Sequence, residues 1–359
     1  MRIEPIHEYM YSNISICHEA DGRKSMSKEL SVRVVIVNYR TPELSIACLR
    51  SLKAEVLAHP DASVTVVDND SRDNSAHLIS VAIESEGWTS WVSLIESPLN
   101  GGFSDGNNVA IRSALACENT PDCFWLLNPD TLVRPGALSA LTSFLGSRPQ
   151  VGICGGGIEN QRGLPWPFVF RFPSILSELE QALSFGPASA LLSKWAILKP
   201  ISDFPEKVDW VCGASMMVRR EVIDKVGLMD DGYFLYFEET DYCLAANRAG
   251  WECWYVPQSR IMHIAGQSTG IVESDQPKRL PSYWFDSRRR YFVKNHGRLY
   301  AVIADIVWMT AFALGRLRHR LQRMPDRDPP RFLADFFCHS ALWRSDIQGV
   351  ASALKSERQ

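Results

Sequence analysis

Short β-branched runs alternate with helix-length segments through the first third of the chain, and that alternation constrains the fold more than any other feature. Arg33-Val34-Val35-Ile36-Val37 reads as a buried strand. Asn38-Tyr39-Arg40-Thr41-Pro42-Glu43 then opens a helix, with Thr41 at the N-cap and Pro42 at its first position, running towards Ala58. Val64–Val67 is a second strand ending in Asp68-Asn69-Asp70-Ser71, with a helix from about Ser75, and Val92–Ile95 is a third. Asn100 to Asn108 reads as a glycine-rich loop before a helix at Val109–Ala116. Phe124-Trp125-Leu126-Leu127 is a fourth strand. Such an order predicts right-handed crossovers and a mostly parallel sheet with flanking helices.

The fourth strand carries the sharpest chemical hint. Its apolar run ends in Asn128-Pro129-Asp130. Proline fixes its own φ and pushes Asn128 out of the helical region. Asp130 then sits on a bend at a strand's carboxyl end, where open α/β sheets place ligands. A carboxylate there suits a hard divalent cation that also holds phosphates, with a plain surface turn as the alternative. Further along, Glu238, Glu239 and Asp241 crowd three carboxylates at a helix start. The helix dipole tolerates anions there, and like charges so close raise at least one pKa, which suits a base near neutral pH.

The rest of the chain sets bounds. Residues 151–210 look less regular, followed by a strand at Ser215–Val218, helices at Arg220–Val226 and Thr240–Ala249, and a short strand at Arg260–Met262. No G-x-G-x-x-G follows the first strand, which disfavours a dinucleotide-dependent oxidoreductase. Nine cysteines without paired spacing argue for a reducing compartment rather than a disulfide framework. Residues 1–30 read as a loose polar arm with no signal peptide. The net charge of −3 hides a basic segment: residues 278–331 hold 13 Lys or Arg against 4 Asp or Glu. Within it, the uncharged run Leu299–Leu314, broken by Asp305, is shorter than the ~20 residues a spanning helix needs.

The ordered motifs resemble the bacterial family 2 glycosyltransferases of cell-surface polysaccharide biosynthesis, rhamnosyltransferase-like members above all. They run from Val34–Tyr39 through Val66–Ser71, Asn100–Phe103, Asn128–Asp130, Gly213–Arg220 and Tyr236–Asp241 to His263-Ile264-Ala265-Gly266-Gln267-Ser268. The resemblance implies an α/β GT-A fold, Rossmann-like, over residues 31–275, with a nucleotide-sugar half (31–150) and an acceptor half (151–275). Residues 276–359 would form a helical C-terminal extension. It implies a nucleoside diphosphate sugar donor and Mg2+ or Mn2+. Asp68 would accept from the pyrimidine N3–H, unless it or its neighbours cap a helix. Asn38, Asn100, Gly102 and Asp105 would line the nucleotide sugar, with Asn128 standing where the family's D-x-D-like motif has its first Asp. Asp130 would bind the metal. His263 would be a second ligand, or a packed histidine. Glu238 would contact substrate and Glu239, one methylene longer than the usual Asp, would be the base, with Asp241 as rival. Ala245 stands where the family has an arginine, and Arg248 is the candidate to replace it.

The resulting expectation is an inverting, metal-dependent transferase acting on a polyprenyl-linked or glycan acceptor, rhamnose from a dTDP donor being the first sugar to test. The rival is a catalytically inactive nucleotide-binding scaffold subunit. The expected location is the cytoplasm, with no nucleic acid partner. Residues 299–324 pair an apolar segment with Arg316, Arg318, Arg320 and Arg323. They would lie on an anionic membrane at the cytoplasmic face of the inner membrane, or pack on the domain or in a dimer interface. A homodimer stays open.

Overall fold

The computed structural model describes residues 29–183, 185–264, 277–326 and 328–344. All but Glu29 and Leu30 of the expected arm, and the Ala265–Ser268 end of the motif series, lie outside the described residues. The nucleotide half is β1 (Val32–Asn38), α1 (Pro42–Ala58), β2 (Ala62–Asp68), α2 (Ser75–Ser85), β3 (Val92–Glu96), α3 (Gly102–Leu115), β4 (Cys123–Leu127), β5 (Thr131–Val133) and α4 (Ala137–Gly146). The chain continues through β6 (Val151–Glu159), β7 (Pro165–Trp166), β8 (Val169–Phe170), α5 (Ile175–Leu183), α6 (Gly186–Leu192), β9 (Glu206–Val208), β10 (Trp210–Val211), β11 (Ser215–Arg219), α7 (Arg220–Val226), α8 (Glu238–Arg248) and β12 (Glu252–His263). Helices α9 (Ser282–His296), α10 (Arg298–Leu321) and α11 (Phe332–His339) form the C-terminal extension.

The central sheet runs β3-β2-β1-β4-β11-β6-β12-β5. Strands β3, β2, β1 and β4 are parallel, as are β6 and β12, and β11 enters antiparallel between the two sets. Strand β4 is buried at every position, on both faces of the sheet, so its residues are all apolar. Trp125 is wholly buried, and its indole N–H donates to Ser215 Oγ at 3.0 Å. Removing such a ring from water contributes about 5 kcal/mol before ordering entropy.

Four local expectations need correction. The glycine-rich stretch is no loop, because α3 begins at Gly102 and Asp105 to Asn108 are its first turns. Thr41 does occupy the N-cap of α1, but its hydroxyl approaches Asn38 Oδ1 at 3.4 Å instead of capping a backbone N–H. The irregular region holds β6, a wholly buried nine-residue strand rich in glycine. A Cβ at Gly156 would stand 2.7 Å from the Ser259 carbonyl oxygen, and one at Gly155 2.6 Å from Val211, so bulk is excluded by close neighbours. Finally, α10 is a helix of 24 residues, which is long and apolar enough to cross a membrane by length and composition.

Its inner face packs on the protein. Ala301, Ala304, Trp308, Ala311 and Phe312 are buried, and Trp308 stacks on Phe336 at 4.0 Å. Its outer face leaves Leu299, Ile303, Ile306, Leu314, Leu317 and Leu321 in solvent, spaced as one helical stripe.

Candidate functional site

The nucleotide side forms where β1 and β2 end level with each other, Asn38 opposite Asp68. Asn38 Nδ2 donates to Asp68 Oδ1 at 2.8 Å, and its Oδ1 accepts from Ser45 Oγ at 2.8 Å. The side chain is 0% exposed, and its hydrogen bonds orient Asp68. Asp68 also accepts from Ser71 Oγ at 2.6 Å and Ser71 N at 3.1 Å. A carboxylate accepts about four hydrogen bonds, which leaves Asp68 capacity for one more donor. It does not cap α2, whose N-cap is Asn74.

Asn69 connects this corner to α3. Its Nδ2 donates to Asn100 Oδ1 and to the Gly102 carbonyl, both at 3.0 Å, and Asn100 Oδ1 also accepts from Gly102 N. Gly102 has φ +86°, and a Cβ there would lie 1.9 Å from the Phe234 carbonyl oxygen. That oxygen accepts from Phe103 N at 2.9 Å, joining α3 to the loop before α8. Asp105 is buried in the first turn of α3, against Gly101.

The metal candidates meet through sheet register. β12 pairs antiparallel with β5, His263 opposite Thr131, and Ile264 N donates to the Asp130 carbonyl at 3.0 Å. Asp130 Oδ1 and His263 Nε2 lie 3.2 Å apart, both side chains under 10% exposed. Asp130 Oδ1 makes no hydrogen bond, and neither does His263 Nδ1. Asn128 Nδ2 lies 3.4 Å from His263 Nε2. A buried carboxylate oxygen without a hydrogen bond, set 3.2 Å from an imidazole nitrogen, fits a cation shared by the two side chains. Neighbouring ligands of an octahedral ion with bonds of about 2.1 Å sit about 3 Å apart. Among the described residues no cluster of three or more His, Cys, Asp or Glu that could hold a metal forms.

The acidic turn completes the site. Tyr236 and Phe237 both adopt left-handed backbone, φ 72° and 66°, and deliver Glu238 and Glu239 at the start of α8. Glu239 Oε1 lies 3.5 Å from Gly213 N, at the limit of a hydrogen bond, and its Oε2 has no partner. Glu238 Oε2 is likewise buried without one. Burial raises both carboxyls, and for Glu238 the Glu239 charge adds to the effect. Cys212, which the sequence reading passed over, lies among these groups. Burial pushes its thiol up, and the Glu239, Glu238 and Asp130 charges push the same way.

Asp241 and Arg248 are not brought to that centre. Asp241 accepts from Lys294 Nζ and Asn295 Nδ2, each at 2.6 Å. Arg248 is exposed and donates to Asn295 Oδ1 and the Asn295 carbonyl, both at 2.8 Å. Both residues therefore bind α9. The same helix holds the acidic turn through Ser287 Oγ, which donates to the Leu235 carbonyl at 2.9 Å, and through Tyr283 against Tyr236. Arg290 and Lys294 donate to Asp230 at 2.7 Å. Burial would raise the Asp230 carboxyl, but these hydrogen bonds outweigh it and hold it at about 2. Only a folded chain could reveal these partners, since α9 lies far along the sequence.

A family model described as glycosyltransferase like family 2 matches residues 30–276. The N-acetylglucosaminyl-diphospho-decaprenol L-rhamnosyltransferase of Mycobacterium tuberculosis is 29% identical over 150 residues, 41% of this chain and 48% of that protein. The matched region thus spans about half the length of that relative. The low-salt glycan biosynthesis hexosyltransferase Agl10 of Haloferax volcanii is 30% identical over 278 residues, 76% of this chain and 78% of that one. Among solved structures, GalNAc-T7 with UDP, GalNAc and Mn2+ superposes with a TM-score of 0.53 at 15% identity, covering 92% of this chain and 58% of that one. The expected GT-A fold is thereby borne out.

Proposed function

This chain belongs to the glycosyltransferase family 2, and from that premise we propose that it moves a hexose from a nucleoside diphosphate sugar to a hydroxyl of a lipid-linked glycan, with inversion and with a divalent metal. The geometry that sets Asp130 3.2 Å from His263 and Gly213 N 3.5 Å from Glu239, with Asn128 N donating to the Ala214 carbonyl between them, carries the reading. Asp68 receives the base edge of the nucleotide, held in place by Asn38 and Ser71. Asp130 and His263 would hold Mg2+ or Mn2+, which would stabilise charge on the leaving diphosphate. Glu239, with one oxygen unpartnered and its carboxyl raised by burial, takes the acceptor hydroxyl's proton. Glu238 beside it discourages both carboxylates from ionising together. Rhamnose, tested first from a dTDP donor, and an N-acetylglucosaminyl diphospholipid acceptor are the first substrates to test, since the mycobacterial relative is named for that sugar and that acceptor.

The α10 stripe supports a membrane partner lying flat on the helix, not spanned by it. Spanning would pull Trp308 and Phe312 from their packing and break the Asp305–Arg288 ion pair. The deciding experiment is release of nucleotide from dTDP-, UDP- and GDP-sugars with manganese or magnesium, with and without acceptor. Asp130→Ala should abolish release and weaken metal-dependent nucleotide binding while the melting temperature holds. Normal metal and nucleotide binding by that variant would refute the assignment.

A further inference from the structure

Four half-buried aromatic rings run outward from this site, and nothing in the reaction above uses them. Trp166, Phe168 and Phe170 alternate along an extended segment, so their side chains share one face. Trp166 meets Phe168 edge-on at 4.9 Å, and Phe168 meets Phe170 edge-on at 5.9 Å. Phe170 stacks on Trp210 at 3.9 Å with the planes 9° apart, a contact set by the pairing of β8 with β10. The row enters the site at two points. Phe168 lies edge-on to the His263 ring at 6.4 Å. Trp210 leads through β10 into Cys212 and Gly213, whose N–H faces Glu239. The Trp210 indole N–H donates to the Arg171 carbonyl at 2.9 Å, so the row presents carbon and π-electron surface, without a free donor from that ring.

We propose that this row is the subsite for the acceptor's sugar ring, with a pyranose packing its C–H face on an outer face of the Phe170–Trp210 stack, whose inner faces cover each other. The inference deepens the transferase reading and rests on it. The order of groups in a glycosyl diphospholipid decides the occupant. The attacking hydroxyl must reach Glu239, the ring that carries it comes next, and the diphosphate and lipid lie beyond. A surface that begins at the metal pair and the base therefore meets the ring, not the lipid. Pyranose C–H bonds carry small positive charge and meet the negative faces of aromatic rings favourably.

The probe is octyl β-N-acetylglucosaminide, with binding of dTDP and manganese measured in parallel by calorimetry. Phe170→Ala should weaken glycoside binding about tenfold and leave nucleotide affinity unchanged. Phe170→Tyr should restore binding. Phe170→Leu, which keeps apolar bulk but has no π face, should not. Saturation-transfer NMR should mark the pyranose protons of the bound glycoside. Full restoration by leucine, saturation confined to the octyl chain, or no glycoside binding by the intact protein would each overturn the subsite. Glycoside binding without nucleotide binding would instead sink the transferase reading, and with it the assignment of the bound ring as an acceptor, while leaving a carbohydrate-binding surface.

Discussion

Replacing Arg288 with methionine should destabilise the protein by about 3–5 kcal/mol, the range for a buried ion pair that loses one partner. Arg288 on α9 donates to Glu178 Oε2 on α5 at 2.5 and 3.1 Å, and to Asp305 Oδ1 on α10 at 2.5 Å. All three side chains are 4% exposed or less, and the rings of Phe292 and Phe336 flank the guanidinium. Methionine preserves much of the packing and strands two carboxylates. The lower end of the range is favoured, because Asp305 Oδ2 keeps its bond from Ala341 N at 2.7 Å. Burial already raises the Glu178 carboxyl above 4.5 in spite of Arg288, and without the arginine it rises further. Above pH 4.5 the folded variant then binds more protons than its unfolded chain, so its stability falls as pH rises through the raised value. The loss should be smaller at pH 5 than at pH 7.5. Urea unfolding at both pH values, followed by tryptophan emission and circular dichroism, reads it. The triple variant Arg288→Met, Glu178→Leu, Asp305→Leu should recover most of the stability, as apolar replacements of buried ion networks do. A loss under about 1 kcal/mol, or one independent of pH, would show that the triad is hydrated and refute the reasoning.

Glu239→Gln should lower turnover about 10²–10⁴-fold with donor affinity unchanged, whereas Asp241→Asn should mainly loosen α9 from α8 and lower the melting temperature; the reverse pattern in rates would give Asp241 the base role. Glu238→Gln removes a carboxyl that burial raises above 4.5, so the variant should match the wild type below that pH and become the more stable of the two as pH rises, as unfolding titrations would read. His263→Ala should raise the manganese concentration for half-maximal activity, with partial recovery at saturating metal, and an unchanged requirement would mark the histidine as structural. Sedimentation with anionic vesicles should carry the full-length protein down at low salt and release it as salt rises, and Ile306→Glu on the exposed stripe of α10 should abolish it.

The elements with strong local chemistry were legible. β1, β2 and β4 are β-branched or apolar runs, and Pro42 marks the start of α1. Glycine hid two others. In β6 it stands where Ser259 and Val211 press too close for a side chain, a tertiary reason that propensity does not carry. In α3 the Gly-Asn-Asp composition reads as a turn, yet packing makes it helix. β12 was seen only at its end, because the stretch Pro257-Gln258-Ser259 shifts register between Val256 and Arg260. The site divides the same way. Asp68, Asp130 and Glu239 sit at strand ends and a helix start, which sequence marks. The partners of Asn38, Asp241 and Arg248 come from other elements, and only the fold supplies them.

Helix α9 lies beyond residue 276, where the family match ends, yet it holds the turn that presents Glu238 and Glu239. Kinship and mechanics therefore draw different borders on this chain. A gene trimmed at the border of kinship would encode every motif of the family and still leave Asp241 and Asp230 without Lys294, and Leu235 without Ser287. The unit that must be inherited, transplanted or expressed intact reaches at least to His296.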